Sequence, residues 1–170
     1  RAANIFAENQ KMFASSRSIV LNGNGGKIYG LDPEKAVNYG FGFIQKFNLF
    51  QRPGDFSVDF YRTDFDNQIV VDWENPREVI LSNLDGKSSA NSLQVELNHE
   101  ILPKLEVRTA YKFYDVKTDY QTGLLQKPLQ AKNRFFANLG YQTNPNENGS
   151  QWRFDYTFNL IGEQRLPSTL

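Results

Sequence analysis

The protein has 170 residues, 19 basic and 19 acidic side chains that cancel to zero formal charge, 39% hydrophobic residues and 14% aromatic ones. Balanced charge argues against a nucleic-acid partner, whose binding domain carries a basic excess, and the aromatic content is too high for a disordered chain. The lack of Cys excludes disulfides, thiolate zinc sites and a Cys nucleophile, and no run of consecutive apolar residues exceeds three, which excludes a transmembrane helix but not barrel strands.

Residues 2–21 fit a strand, although Ile5, Glu8, Met12 and Phe13 also fit a helical turn. Asn22-Gly23-Asn24-Gly25-Gly26-Lys27 follows. A phosphate-binding loop needs Ser or Thr after its Lys, and Ile28 stands there, so the stretch reads as a flexible loop apex. Over 37–49 the odd positions are Val37, Tyr39, Phe41, Phe43, Gln45, Phe47 and Leu49, against Asn38, Gly40, Gly42, Lys46 and Asn48. A strand then runs over about 56–73. Its apolar parity slips between Phe60 and Tyr61, which predicts a bulge or an extension beyond an apolar slab. Within it, Asp64-Phe65-Asp66-Asn67-Gln68 clusters oxygen ligands but lacks the spacing of a calcium loop, so a polar strand extension is expected.

The alternation continues with Leu93, Val95, Leu97, His99 and Ile101 opposite Gln94, Glu96, Asn98 and Glu100. Next come Leu105, Val107, Thr109, Tyr111 and Phe113 opposite Glu106, Arg108, Ala110 and Lys112. Phe135, Ala137, Leu139 and Tyr141 oppose Arg134, Phe136, Asn138 and Gly140. Finally Trp152, Phe154, Tyr156, Phe158 and Leu160 oppose Arg153, Asp155, Thr157 and Asn159, with Phe154 expected near mid-depth. All seven prolines are expected between these segments, since proline removes a ladder donor. Short connections at 51–55, 102–104 and 144–150 alternate with longer ones at 22–34, 74–88 and 116–133. That describes an all-β, antiparallel up-and-down sheet with two unlike ends. The sequon Asn148-Gly149-Ser150 falls in a short connection and carries no argument.

A soluble lipocalin-like carrier or a β-sandwich would give the same parity with its apolar side inward. Glycines and small residues among the charges of the polar faces, and aromatics near strand ends, favour a membrane barrel with the apolar side outward. The expected lipid-facing residues are Val37, Tyr39, Phe41, Phe43, Leu93, Val95, Leu97, Tyr111, Phe135, Leu139, Trp152, Phe154, Tyr156 and Phe158. The expected lumen-facing residues are Gln94, Glu96, Asn98, Glu100, Glu106, Arg108, Lys112, Arg134, Arg153 and Asp155. Both ends look cut, so the chain is expected to be part of a longer protein.

Leu31-Asp32-Pro33-Glu34-Lys35-Ala36-Val37-Asn38-Tyr39-Gly40 resembles the Leu-x-Pro-Glu-x-x-x-x-Tyr-x-x-Gly signature of a down-going strand in TonB-dependent outer-membrane receptors. It departs in carrying Gly40-Phe41-Gly42 where Glu-Leu-Gly is common. The stretch from Asp59 to Asp72 is similar to the up-strand that follows it. The stretches from Tyr114 to Tyr120, Lys127-Pro128-Leu129, and Gly162 to Pro167 look like a subgroup from Bacteroidetes-type bacteria. The resemblance implies a 22-stranded barrel of which residues 1–170 supply about seven strands. It also implies a plug domain and closing strands outside this chain, energy from the TonB complex, and a bacterial outer-membrane location. Partners would be membrane lipid, the plug, and an imported ferric siderophore, cobalamin, metal chelate or glycan, with no nucleic acid. No cofactor, metal or catalytic residue is expected. His99 is the lone histidine and reads as interfacial. The carboxylates Glu96, Glu100 and Glu106 near Arg108 and Lys112 read as salt-bridged lumen polarity. Tyr114, Tyr120 and residues 126–132 form a loop that could touch an anionic ligand, with loop packing the plainer reading.

Overall fold

A strand that alternates apolar and polar residues has one face that avoids water and one that seeks it, and its register keeps like faces together. The computed structural model describes residues 5–120 and 122–168 and obeys this rule across its main sheet. Among the described residues, a one-turn helix α1 (Ile5–Glu8) and a 3-10 turn (Gln10–Ala14) precede ten strands. These are β1 (Ser18–Asn22), β2 (Lys35–Leu49), β3 (Arg52–Asn67), β4 (Ile69–Asp72), β5 (Glu78–Asn83), β6 (Ser88–Leu102), β7 (Leu105–Tyr120), β8 (Gly123–Gln126), β9 (Asn133–Gln142) and β10 (Arg153–Ile161).

The large sheet is antiparallel and seven-stranded, in the order β10-β9-β7-β6-β3-β2 with β8 added along β7. β8 pairs with residues 117–120 of β7 and β9 with residues 105–113. The gap between β8 and β9 is bridged by Lys127 N donating to Val116 O (2.9 Å) and Tyr114 N donating to Lys132 O (2.7 Å). The expected long connection at 116–133 is therefore largely strand. Likewise 74–88 contains β5, and the strand expected over 56–73 divides at Gln68 into β3 and β4.

Phe50 and Gln51 alone join β2 to β3, both with positive φ (52° and 61°). The turn thus sits one residue earlier than expected, and Pro53 lies inside β3, paired with Asn48. As the second residue of the strand, it is at a place where the missing donor is tolerated. The bulge alternative at Phe60 is also corrected. The β3–β6 register runs unbroken from Gly54↔His99 to Phe65↔Ser88. Arg62 and Asp64 share the face of Phe60 and are polar because the strand continues past the apolar band. The irregularity in β2–β3 lies between Lys35 and Ala36.

The band itself is slanted. Leu160, Phe135, Tyr111, Val95, Val58 and Phe43 form one pairing row across the six long strands. Leu160 is the uppermost apolar residue of its face on β10, yet on β2 the band climbs from Phe43 to Val37. Six residues are about 20 Å along a strand, and five strand spacings are about 24 Å, so the strands tilt about 40° from the normal to the band. Phe154 lies in the lowest row, not at mid-depth, stacked on Tyr141 and Trp152 with 6.5 Å between ring centroids in each pair. Phe158 is closer to mid-band.

At the long-loop end, β1 runs parallel to β5, and β5 pairs antiparallel with β4. Their side chains meet the N-terminal turns in a core of Ile5, Met12, Leu31, Ile69, Val79 and Leu81, with Phe6, Val71 and Trp73 against it. The ambiguous first segment is therefore helical turns followed by a strand, with Phe13 exposed; residues 2–4 of it lie outside the described residues. The glycine-rich stretch folds back on itself through bridges Gly26↔Gly30 and Ile28↔Leu31. A Cβ on Gly26 would lie 2.3 Å from Leu31 C, so this close approach requires glycine. No helix among the described residues is long and apolar enough to cross a membrane, which says nothing of strands.

Candidate functional site

The register brings the two sets of sequence-singled residues onto opposite faces. Val37, Tyr39, Phe41, Phe43, Leu93, Val95, Leu97, Tyr111, Phe135, Leu139, Phe154, Tyr156 and Phe158 share the apolar face, and Trp152 joins it by stacking on Phe154. Much of it is bare, with Phe41 60% and Phe154 57% exposed. At its upper edge on β2 and β3 the same face turns polar: Tyr39 Oη donates to Asp64 Oδ2 (3.2 Å), and Arg62 Nη2 pairs with Asp64 Oδ1 (2.8 Å). Asp64 is thus committed to a cation of the chain. The His99 ring lies tilted against Phe47 (5.5 Å between centroids) and reaches Pro53 O (3.2 Å), both rings lying over Gly54, whose missing side chain makes the room.

Gln94, Glu96, Asn98, Glu100, Glu106, Arg108, Lys112, Arg134, Arg153 and Asp155 share the polar face. They form short local links. Arg108 Nε donates to Asn98 Oδ1 (3.1 Å), and Asn98 Nδ2 donates to Asp55 Oδ2 (2.8 Å). Gln94 donates to Glu96, and Arg153 Nη2 donates to Gln142 Oε1 (3.4 Å). Glu100 stands opposite Glu106, but its Oε1 accepts from Arg52 Nη1 (3.2 Å) and from Lys104 N (3.0 Å), which offsets the repulsion. Glu96 and Glu100 are thus held by structural partners rather than arranged as an acid–base pair.

Above the polar face, at the long-loop end, lies a cavity of about 790 Å³. Residues from the N-terminal turns, β4, the upper part of β7 and the β8–β9 gap line it. Thr118, Tyr120 and Arg134 have polar-face parity, so the cavity opens on that side. Its rim is tied by two arginines. Arg165 pairs with Glu74 (2.7 Å), donates through Nε to Gln126 O (2.7 Å), and lies 5.8 Å from the centre of the Tyr120 ring. Backbone bonds add to the knot: Leu129 N donates to Arg165 O (2.8 Å) and Ser168 N to Glu74 Oε2 (2.9 Å). Arg17 donates to Trp73 O (2.8 Å) and Asn75 O (3.1 Å) while standing 5.7 Å from the Trp73 ring centre.

This arrangement perturbs the groups involved. The hydrogen bond from Arg165 holds the Glu74 carboxyl below the usual carboxylate range, and the same bond raises the Arg165 guanidinium. Burial pushes the Tyr120 hydroxyl up. Residues 127–130 of the loop singled out from the sequence do line the cavity, and Tyr120 is buried in its wall, whereas Lys132 pairs with Asp115 (3.0 Å) below. Sequence reasoning missed Glu74, Arg17 and Trp73 as site residues. Their partners are remote in sequence, and only Arg165, inside the Gly162–Pro167 stretch, left a signal.

The family model described as "TonB dependent receptor-like, beta-barrel" matches residues 2–169. No curated protein and no solved structure matches the chain.

Proposed function

The chain belongs to the TonB-dependent receptor-like β-barrel family, whose members are outer-membrane transport receptors, and from that premise we propose that it forms a contiguous part of such a receptor's wall in the bacterial outer membrane. The apolar face meets lipid. The polar face lines the lumen, where the plug domain of the same receptor packs and substrate later passes. A closed sheet is the strand solution that leaves no backbone group unpaired in hydrocarbon, so the outer edges of β2 and β10 pair with further strands of the barrel. The loop end captures a small-molecule or glycan ligand, and energy reaches the receptor from the TonB complex through other segments. No residue carries out covalent chemistry.

The observation that carries this reading is the slanted apolar band. The strands tilt about 40° from the normal to the band, within the 35–45° tilt of outer-membrane strands, and the nine residues from Leu105 to Phe113, five of them on the apolar face, span roughly 20 Å of height at that tilt, near the ~25 Å expected. The full-length receptor, purified in detergent and offered liposomes, is expected to insert and to migrate as a heat-modifiable barrel. A parent protein that remains soluble and monomeric without detergent, and does not insert, replaces this reading with the soluble carrier.

A further inference from the structure

We infer that the cavity at the long-loop end takes a small, multiply charged oxyanion, a molecule bearing several carboxylate or phosphate groups. The inference rests on the receptor reading for its place in transport, while its geometry stands without it. Lys11, Lys127 and Arg134 line the cavity from three separate segments. None of the three side chains has an ionic or hydrogen-bonding partner among the described residues. Arg17, the fourth cation of the wall, is already committed to the carbonyls of Trp73 and Asn75. With Glu8 and Glu34 as the acids of the same wall, positive charge is in excess.

A second observation comes from the register. Arg134 stands directly opposite Lys112 on β7. Like charges directly opposite each other destabilise a sheet, and such a pair persists where something offsets it. For Glu100 and Glu106 the offset is visible in Arg52 and the backbone N–H of Lys104. For Arg134 and Lys112 there is no acid in either directly opposite position: Lys112 faces Gln94 on its other side, and Arg134 faces Ile161. The Tyr114 ring, 5.8 Å from Lys112 Nζ, is the aid Lys112 receives. An anion seated in the cavity supplies the missing negative charge to Arg134 from above, and Lys11 and Lys127 close over it.

The test uses detergent-solubilised full-length receptor and calorimetric titration with citrate, pyrophosphate and, as a neutral control, maltotriose. At least one of the two anions is expected to bind, more weakly as salt rises, and the one preferred identifies carboxylate or phosphate. Lys127→Gln and Arg134→Gln are each expected to weaken that binding at least tenfold. Arg134→Gln should also raise the thermal midpoint of the ligand-free receptor, because it removes a repulsion, which a merely structural arginine would not do. Failure of both anions to bind folded receptor, binding that neither variant alters, or maltotriose binding lost in both variants overturns the inference. Liposome insertion reads the barrel assignment separately: insertion without anion binding sinks only the ligand class, and anion binding without insertion sinks only the barrel.

Discussion

At the scale of single residues, position on the sheet decides what a substitution costs. Phe158 and Thr157 are adjacent, yet their side chains leave opposite faces of β10. Phe158→Arg puts a charge near the middle of the apolar band and should cost about 2–4 kcal/mol of folding free energy in a bilayer. Thr157→Arg loses the 2.9 Å bond from Asn138 Nδ2 and should cost roughly 1 kcal/mol. Equal losses in a bilayer refolding assay would contradict the facing proposed for the two sides. Glu74 offers a second residue-scale test. Its side chain is 8% exposed and tied to Arg165, so Arg165→Ala, which leaves that carboxylate with only the Ser168 N–H, should lower the free energy of local opening of the loop cluster by roughly 2–3 kcal/mol. Hydrogen exchange of the Glu74 and Leu129 amides is the measurement.

At the scale of elements, the hairpins show what local chemistry can and cannot announce. The β2–β3 turn places Phe50 and Gln51 both at positive φ, as a type I′ turn does and as Asn-Gly adopts without strain. Replacing Phe50→Asn together with Gln51→Gly is expected to stabilise the hairpin by about 1 kcal/mol or more, read as a higher denaturant midpoint for the receptor in micelles. An unchanged or lowered midpoint would mean that Phe50, 82% exposed here, gains more from its surroundings than the turn loses. The strands themselves were legible because parity is a local property of the chain. The turn was not, since neither residue signals a left-handed conformation, and β5 and β8, inside the connections expected at 74–88 and 116–133, were read as loop because segments of four to six residues carry too few alternations to register.

At the scale of the whole molecule, the two ends of the sheet are held differently. The wall is joined by backbone ladders with its apolar face bare, whereas the loop end has its own core and ionic knot. The knot has a pH window that follows from its groups. Glu74 is depressed below the ordinary value of about 4.3, so its contribution is complete above that value and is lost as pH falls through the lower folded value. Tyr120 is raised above about 10, so its neutral form contributes fully below that value, and the contribution fades as pH climbs through the higher folded value. Protease resistance of the loop cluster should therefore be flat from about pH 5 to 9 and fall on both sides. Resistance that changes around pH 6–7 would assign control of the loops to other groups.

The sequence by itself determined the strand faces, the up-and-down order and the family, because a period of two and a short motif are written in consecutive residues. It left residues 126–132 between loop packing, the plainer reading, and contact with an anionic ligand. Only the tertiary structure decided that Phe154 sits at the edge of the band, that Arg165 meets Glu74, and that Lys11, Lys127 and Arg134 face one cavity above a repulsive Lys112–Arg134 pair. Those relations join positions dozens of residues apart. They are set by strand register and by the packing of the loop core, and no local pattern encodes either.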